Sequence, residues 1–185
     1  MELAIRLTKK TLALNDAMDF AYALLGYIYL HRRQYEKAIT AGERAIALNP
    51  NGADAHAWLG HILCVAGRPA EGLALLKKAI RLSPIPPNWY LNYMAMAYRM
   101  MERYDESLEV SKQALHLNPD DLYAHLSLAV TYGLLDREAE AREAAAEVLR
   151  IDPDFSIEYF AKTSPIKDPA DRKRLISALR KAGLM

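Results

Sequence analysis

The chain has 185 residues, 52% of them hydrophobic and 25% charged, with 24 Lys and Arg against 23 Asp and Glu for a net charge of +1. That balance supplies no electrostatic footprint for nucleic acid or an anionic membrane, and the length suffices for a sizeable core or a stack of small units sharing one. The one cysteine, Cys64, excludes an internal disulfide and a cysteine-based metal cage.

The amino end, MELAIRLTKKTL, has no uninterrupted apolar core of signal-peptide length. The longest apolar run, Ala21 to Leu30, is about half of what spans a bilayer, so the expected location is cytoplasmic. A first helix is predicted within the first 14 residues, where Ala4 and Thr11 hold the positions that Ala38 and Ala45 hold further on. Next come two helical patterns, Tyr22-Leu25-Gly26-Tyr29 and Ala38-Gly42-Ala45, split by the polar turn Arg32-Arg33-Gln34 and closed by Leu48-Asn49-Pro50. The same pair returns as His56, Leu59, Gly60 and Leu63 with Gly72, Leu76 and Ala79, closed by Leu82-Ser83-Pro84. It returns again as Leu91, Met94, Ala95 and Tyr98 with Ser107, Ser111 and Ala114, closed by Leu117-Asn118-Pro119. The last full copy is His125, Leu128, Ala129 and Tyr132 with Ala141, Ala145 and Val148, closed by Ile151-Asp152-Pro153.

The closing prolines stand 34, 35 and 34 residues apart, and 34 residues before Pro50 lies Asp16, in Leu14-Asn15-Asp16. The one longer interval falls in the stretch SPIPPNWY, whose Pro86 and Pro87 are expected to hold the linker extended and to stop the preceding helix. After Pro153 a further first helix is predicted from Phe155 to Lys162, and Pro165 and Pro169 forbid a second helix of the usual type. Asp168-Pro169 reads instead as a cap with proline at the first helical position, Leu175, Ile176 and Leu179 give an apolar stripe, and Gly183 supplies a stop. This last helix is expected to act as a lid, with Arg172, Lys173, Arg174, Arg180 and Lys181 on a solvated face.

The aromatic, Leu-Gly, Tyr, then Ala, Ala and Pro pattern resembles the tetratricopeptide repeat family. The resemblance implies an all-α, right-handed superhelical solenoid of antiparallel helix pairs with about eleven helices. It divides a single domain, 1–185, into a half repeat at 1–16, full repeats at 19–52, 53–86, 88–121 and 122–155, and divergent capping helices over 156–185. The chain is then expected to begin half-way through a unit, as a fragment or as a stub whose edge pairs with something. No unit keeps tryptophan in the first slot, and the second-helix aromatic is replaced by Gly42, Leu76, Ser111 or Ala145. Small residues remain where the two helices of each pair must cross: Gly26 with Ala38, Gly60 with Gly72, Ala95 with Ser107 and Ala129 with Ala141. The tail PIKDPADRKRLISALRKAGLM together with GRPAEGLALLKKAIRLSPIPPNWY resembles the repeat segment at the carboxyl end of some bacterial adenylate and guanylate cyclases and related regulatory proteins. The cyclase catalytic domain is absent from this sequence, so no cyclase activity follows.

The sequence has no Gly-rich phosphate loop, no His-Glu-x-x-His, no nucleophile elbow and no calcium loop. It is therefore read as non-enzymatic, with no cofactor and no metal. His56 and His125 occupy one repeat slot and are expected to pack between helices, while His61 falls on a different face from His56.

At 100° per residue, the faces opposite the buried stripes carry Phe20, Ala23, Leu24, Tyr27 and His31, then Asp54, Ala57, Trp58, His61 and Val65. In the next two units they carry Trp89, Asn92, Tyr93, Met96 and Met100, then Tyr123, Leu126, Ser127, Val130 and Leu134. Stacked as the resemblance implies, these faces line an inner concave wall, about half of it packing between neighbouring first helices. The candidate partner-binding residues are Tyr27, Trp58, His61, Trp89, Asn92, Tyr93, Met96 and Tyr123. The Lys, Arg and Asn clamp with which some family members grip a terminal carboxylate has no counterpart among Ala23, Tyr27, Trp58, Asn92 and Tyr93. The expected function is a protein-interaction module that binds a peptide or helix of a partner in this groove. The alternative is the regulatory or oligomerising tail of a signalling enzyme such as a nucleotide cyclase, working by self-association through the groove or the truncated edge. Neither nucleic acid nor membrane is an expected partner.

Overall fold

Among the described residues, four turns that join one helix to the next rest on a residue with positive φ: Arg33 (56°), Gly67 (90°), Glu102 (58°) and Asp136 (54°). In each, the next residue donates its backbone N–H to a carbonyl five positions back: Gln34 to Tyr29 at 2.9 Å, Arg68 to Leu63 at 2.8 Å, Arg103 to Tyr98 at 2.9 Å and Arg137 to Tyr132 at 3.0 Å. That bond satisfies a carbonyl left over at the helix end and reverses the chain. Three of the four positions carry side chains in a region that only glycine enters without steric cost, so the turn is held against local preference by the packing of the helices it joins.

The computed structural model describes residues 2–14 and 17–185, which leaves Asn15 and Asp16 of the first periodic ending outside the described residues. Among the described residues there are eleven α-helices and no strand. Two compact units are present, Met1–Pro86 and Pro87–Met185. The first holds α1 (Glu2–Leu14), α2 (Asp19–His31), α3 (Tyr35–Leu48), α4 (Ala53–Val65) and α5 (Pro69–Leu82). The second holds α6 (Asn88–Met100), α7 (Tyr104–Leu117), α8 (Leu122–Leu134), α9 (Glu138–Ile151), α10 (Ile157–Thr163) and α11 (Pro169–Lys181). None of these helices is long and apolar enough to cross a membrane.

Within each unit the helix pairs touch through backbone. A Cβ on Gly60 would sit 2.9 Å from the Gly72 carbonyl oxygen, and one on Gly72 would sit 2.4 Å from that of Gly60 and 2.4 Å from Cys64 Sγ. Where the pair is Ala95 and Ser107, the serine hydroxyl donates to the Ala95 carbonyl at 2.9 Å, so the extra side chain bonds the facing helix instead of clashing with it. The missing aromatic of the second helices is replaced from outside the pair: at Gly42 the space is filled by Leu59, whose Cδ1 lies 2.8 Å from the glycine's Cβ direction. Ser111 in the same slot instead donates to Ser127 Oγ at 3.0 Å. Cys64 is fully buried and its thiol is pushed up to about 12 by burial, which leaves it unreactive.

The carboxyl end departs from the repeat as its prolines dictate. α10 lasts only seven residues. Asp168 caps α11 by accepting from Ala170 N–H at 2.7 Å, and Pro169 opens it. Gly183, at φ 92°, ends it, with Leu184 N–H reaching the Leu179 carbonyl at 3.2 Å. The apolar stripe of α11 packs on α8: Leu175, Ala178 and Leu179 share one buried cluster with Leu126, Val130 and Ala129. A Cβ on Gly133 of α8 would lie 2.7 Å from the Ala178 carbonyl oxygen. Two of the tail's exposed basic residues also make ion pairs, Arg174 with Glu102 at 2.9 Å and Lys181 with Asp136 at 2.7 Å. Both acceptors are the positive-φ turn residues of successive repeats.

Two glycine replacements separate these effects. Nothing lies within 4 Å of a Cβ at Gly67, so Gly67→Ala should cost only its backbone conformation, about 1 kcal/mol. Gly72→Ala drives a methyl group into backbone and should cost about 3 kcal/mol. Urea denaturation of both variants measures this, and equal losses would contradict the close-crossing account.

Candidate functional site

In the first unit, the outer and inner aromatics of α2 part company. Tyr22 and Tyr29 turn to α3, where Arg44 lies 5.8 Å and Lys37 5.9 Å from their ring centroids. Phe20, Tyr27 and His31 turn to α4. There Trp58 stands 5.8 Å from Phe20 and 5.7 Å from Tyr27, and Tyr27 is 4.5 Å from His31 and 6.4 Å from His61. The structure thus brings together three predicted site residues, Tyr27, Trp58 and His61, but with unequal access. Phe20 is 58% exposed, Tyr27 and Trp58 are half-buried, and His61 is 8% exposed and sits behind them. His61 is therefore a packing residue of this cluster rather than a surface contact. Ala23, Ala57 and Val65, placed on the same faces by helical geometry, are buried as well.

In the second unit, Trp89 meets Tyr93 edge-on at 5.3 Å and Tyr90 at 4.4 Å; Trp89, Tyr93 and Met96 are half-buried. Asn92 has a different task from the one expected of it. Its Nδ2 donates to both carboxylate oxygens of Asp121, at 3.0 and 3.1 Å, and Asn88 donates to the same carboxylate. Asp121 in turn caps α8 by accepting from Ala124 N–H at 2.9 Å. The asparagine therefore ties α6 to the start of α8. Tyr123, also predicted, is 66% exposed and stands apart from this group at the first turn of α8.

The expected solvent-facing strip of α8 is not open. Leu126, Ser127 and Val130 are buried. Leu126 and Val130 share a buried cluster with Leu175, Ala178 and Leu179 of α11, while Ser127 is held by Ser111 of α7 and Arg99 of α6.

A further residue lies beside this face: Arg99, three positions after Met96, is half-buried at a cleft lined by α6, α8 and α11. Its Nη1 donates to Ser127 Oγ at 3.0 Å, and burial pulls its guanidinium down to about 10, so it stays cationic at neutral pH. The helical i, i+3 spacing places it next to Met96 on the helix surface. An arginine at the end of an apolar helix reads as a solvated side chain until α11 is seen to close over it.

Among the described residues no cluster of three or more His, Cys, Asp or Glu could hold a metal ion. The histidines matter for stability. Burial pushes His61 down to about 3, with His31 adding to the effect, and burial also lowers His31 and His56. These side chains are neutral in the fold, whereas in the unfolded chain they take up protons near pH 6.5. The stability they allow is therefore complete above pH 6.5 and is lost as pH falls from there toward about 3 for His61. At pH 5 the share due to His61 is about 2 kcal/mol. Denaturation at pH 7 and pH 5 should show a marked loss in the native chain and a smaller one in His61→Leu, and an unchanged pH dependence would contradict the burial of this ring.

Comparison with known proteins bears on both units. Residues 21–65 match a family model for the TPR repeat, and residues 98–163 match a second, for the tetratricopeptide repeat. Superkiller protein 3 of Schizosaccharomyces pombe is 25% identical over 114 residues, which is 61% of this chain and 8% of that protein, so the chain spans only a small part of that relative. Among solved structures, the chain is similar to YrrB, a TPR protein with an unusual peptide-binding site, with a TM-score of 0.60, 20% identity, and coverage of 95% and 90% of the two chains. It is similar to a thermophilic TPR protein of Thermus thermophilus with a TM-score of 0.73, 22% identity, and coverage of 95% and 89%. It is similar also to PilW, a type IV pilus biogenesis factor, with a TM-score of 0.75, 19% identity, and coverage of 95% and 79%. At such identities these structures speak to the fold alone. With a family match in each unit and helix pairs crossing at small residues, the chain belongs to the tetratricopeptide repeat family.

Proposed function

We propose that this chain is a non-catalytic interaction module that holds a peptide or helix of a partner protein against the inner faces of its first helices. Tetratricopeptide repeat proteins act as protein-interaction modules, and one observation carries the reading to particular residues. Large aromatic and thioether side chains stand partly exposed on faces that the repeat core does not use: Phe20, Tyr27 and Trp58 in the first unit, Trp89, Tyr93 and Met96 in the second. Rigid aromatics with few rotatable bonds lose little entropy on binding and are the usual anchors of such contacts. His61 and Asn92 serve from behind, one packed against Tyr27 and the other fixed to Asp121. The peptide-binding site of the similar YrrB supports the choice of ligand class.

A second reading, self-association as the regulatory tail of a signalling enzyme, draws on α1, where Leu3 and Leu7 are exposed on a helix whose Ile5 is buried. Light scattering over a range of concentrations separates the two, because a monomer at every concentration removes the second.

Trp58→Ala and Trp89→Ala should each weaken binding of a captured partner segment at least about tenfold, with helicity by circular dichroism retained. Titration calorimetry reads the change, and unchanged affinity in both variants rejects the site.

A further inference from the structure

Arg99 is a half-buried cation that no carboxylate among the described residues holds. A guanidinium has five N–H donors, and one of them, on Nη1, is used here, on Ser127 Oγ. Arg68, Arg103, Arg137, Arg150 and Arg174 each hold a carboxylate, although all of them are far more exposed. Among the described residues Arg99 holds none. The two charged residues beside it in the cleft wall do not supply the deficit. Arg174 is committed to Glu102 at 2.9 Å and to the Tyr104 hydroxyl at 2.8 Å. Asp171 lines the same cleft without coming within ion-pair distance of Arg99.

The rest of the wall is apolar. Met96 and Met100 come from α6, Val130 and Leu134 from α8, Ile166 from the segment before α11 and Leu175 from α11 itself. A cation held in such surroundings has already lost most of its water, so a carboxylate arriving with the right geometry meets an unusually strong partner. Among the described residues Arg99 makes no ion pair of its own, and its planar fork of donors fits a carboxylate.

We propose that this cleft receives an acidic side chain, Asp or Glu, from the partner segment, with Arg99 as its counter-charge and Met96 and Met100 against the apolar residue next to it. The inference rests on the groove reading above and adds to it a charge requirement at one position. It also gives Arg99 a role that its place in the fold does not, since a half-buried cation with no carboxylate to hold costs stability.

The test uses the full chain and a set of acetylated, amidated peptides in which one Glu is flanked by Leu and Met at varied spacing, each matched by its Gln counterpart. Fluorescence anisotropy should find Glu peptides that bind at least about tenfold more tightly than their Gln partners. That ratio should fall to near one in Arg99→Met and shrink in Arg99→Lys, which keeps the charge and loses the planar fork. The thermal midpoint of Arg99→Met should be unchanged or raised. Equal binding of Glu and Gln peptides overturns the carboxylate assignment and leaves the groove reading standing, while retention of no peptide overturns both. Discrimination that survives in Arg99→Met, or a lowered midpoint in Arg99→Met and Arg99→Lys alike, also overturns the assignment.

Discussion

Backbone-to-backbone contact between the two helices of a repeat is the constraint from which the rest follows. Gly60 and Gly72 leave no room for a methyl group, and Ala95 and Ser107 meet at the distance of a hydrogen bond. Helices this close can be joined only by a tight reversal, which is why Arg33, Glu102 and Asp136 accept a conformation that suits glycine. The same contact fixes which face of each first helix is spent on the core. What remains on the opposite face is free to be aromatic, and the chain has made it so.

The repeat itself could be read directly from residue spacing. Small residues recur at one interval, prolines close each unit, and the Asp168-Pro169 and Gly183 signals bound the last helix within a residue or so, because each reflects a local steric rule that needs no tertiary knowledge. Tyr27 and Trp58 were found because helical periodicity projects them away from the crossing. Periodicity gives direction and not depth, so it could not separate Trp58, which is half-buried, from His61 one turn further on, which is enclosed. Nor could it show that Asn92 would be drawn to Asp121, a partner 29 residues away.

The larger departures come from the tail. α11 has no counterpart in the repeat, and it docks on α8, where its Leu175, Ala178 and Leu179 join Leu126 and Val130 in one buried cluster. In doing so it also encloses Arg99, which the sequence presents as an ordinary cation at a helix end. Its salt links reach the turn residues Glu102 and Asp136, each exposed and worth little alone, so the apolar stripe carries the attachment and the ion pairs set its register. One helix outside the repeat pattern therefore both subtracts from the open face of α8 and helps to enclose a cation.

The two tryptophans, Trp58 and Trp89, lie one in each unit and give two indole N–H resonances in a proton–nitrogen correlation spectrum. If the first-helix faces hold the partner, adding a captured partner segment to saturation will shift at least one of these two signals. If both stay in place while the segment is shown to be bound, the partner is held elsewhere and the aromatic faces serve some other end.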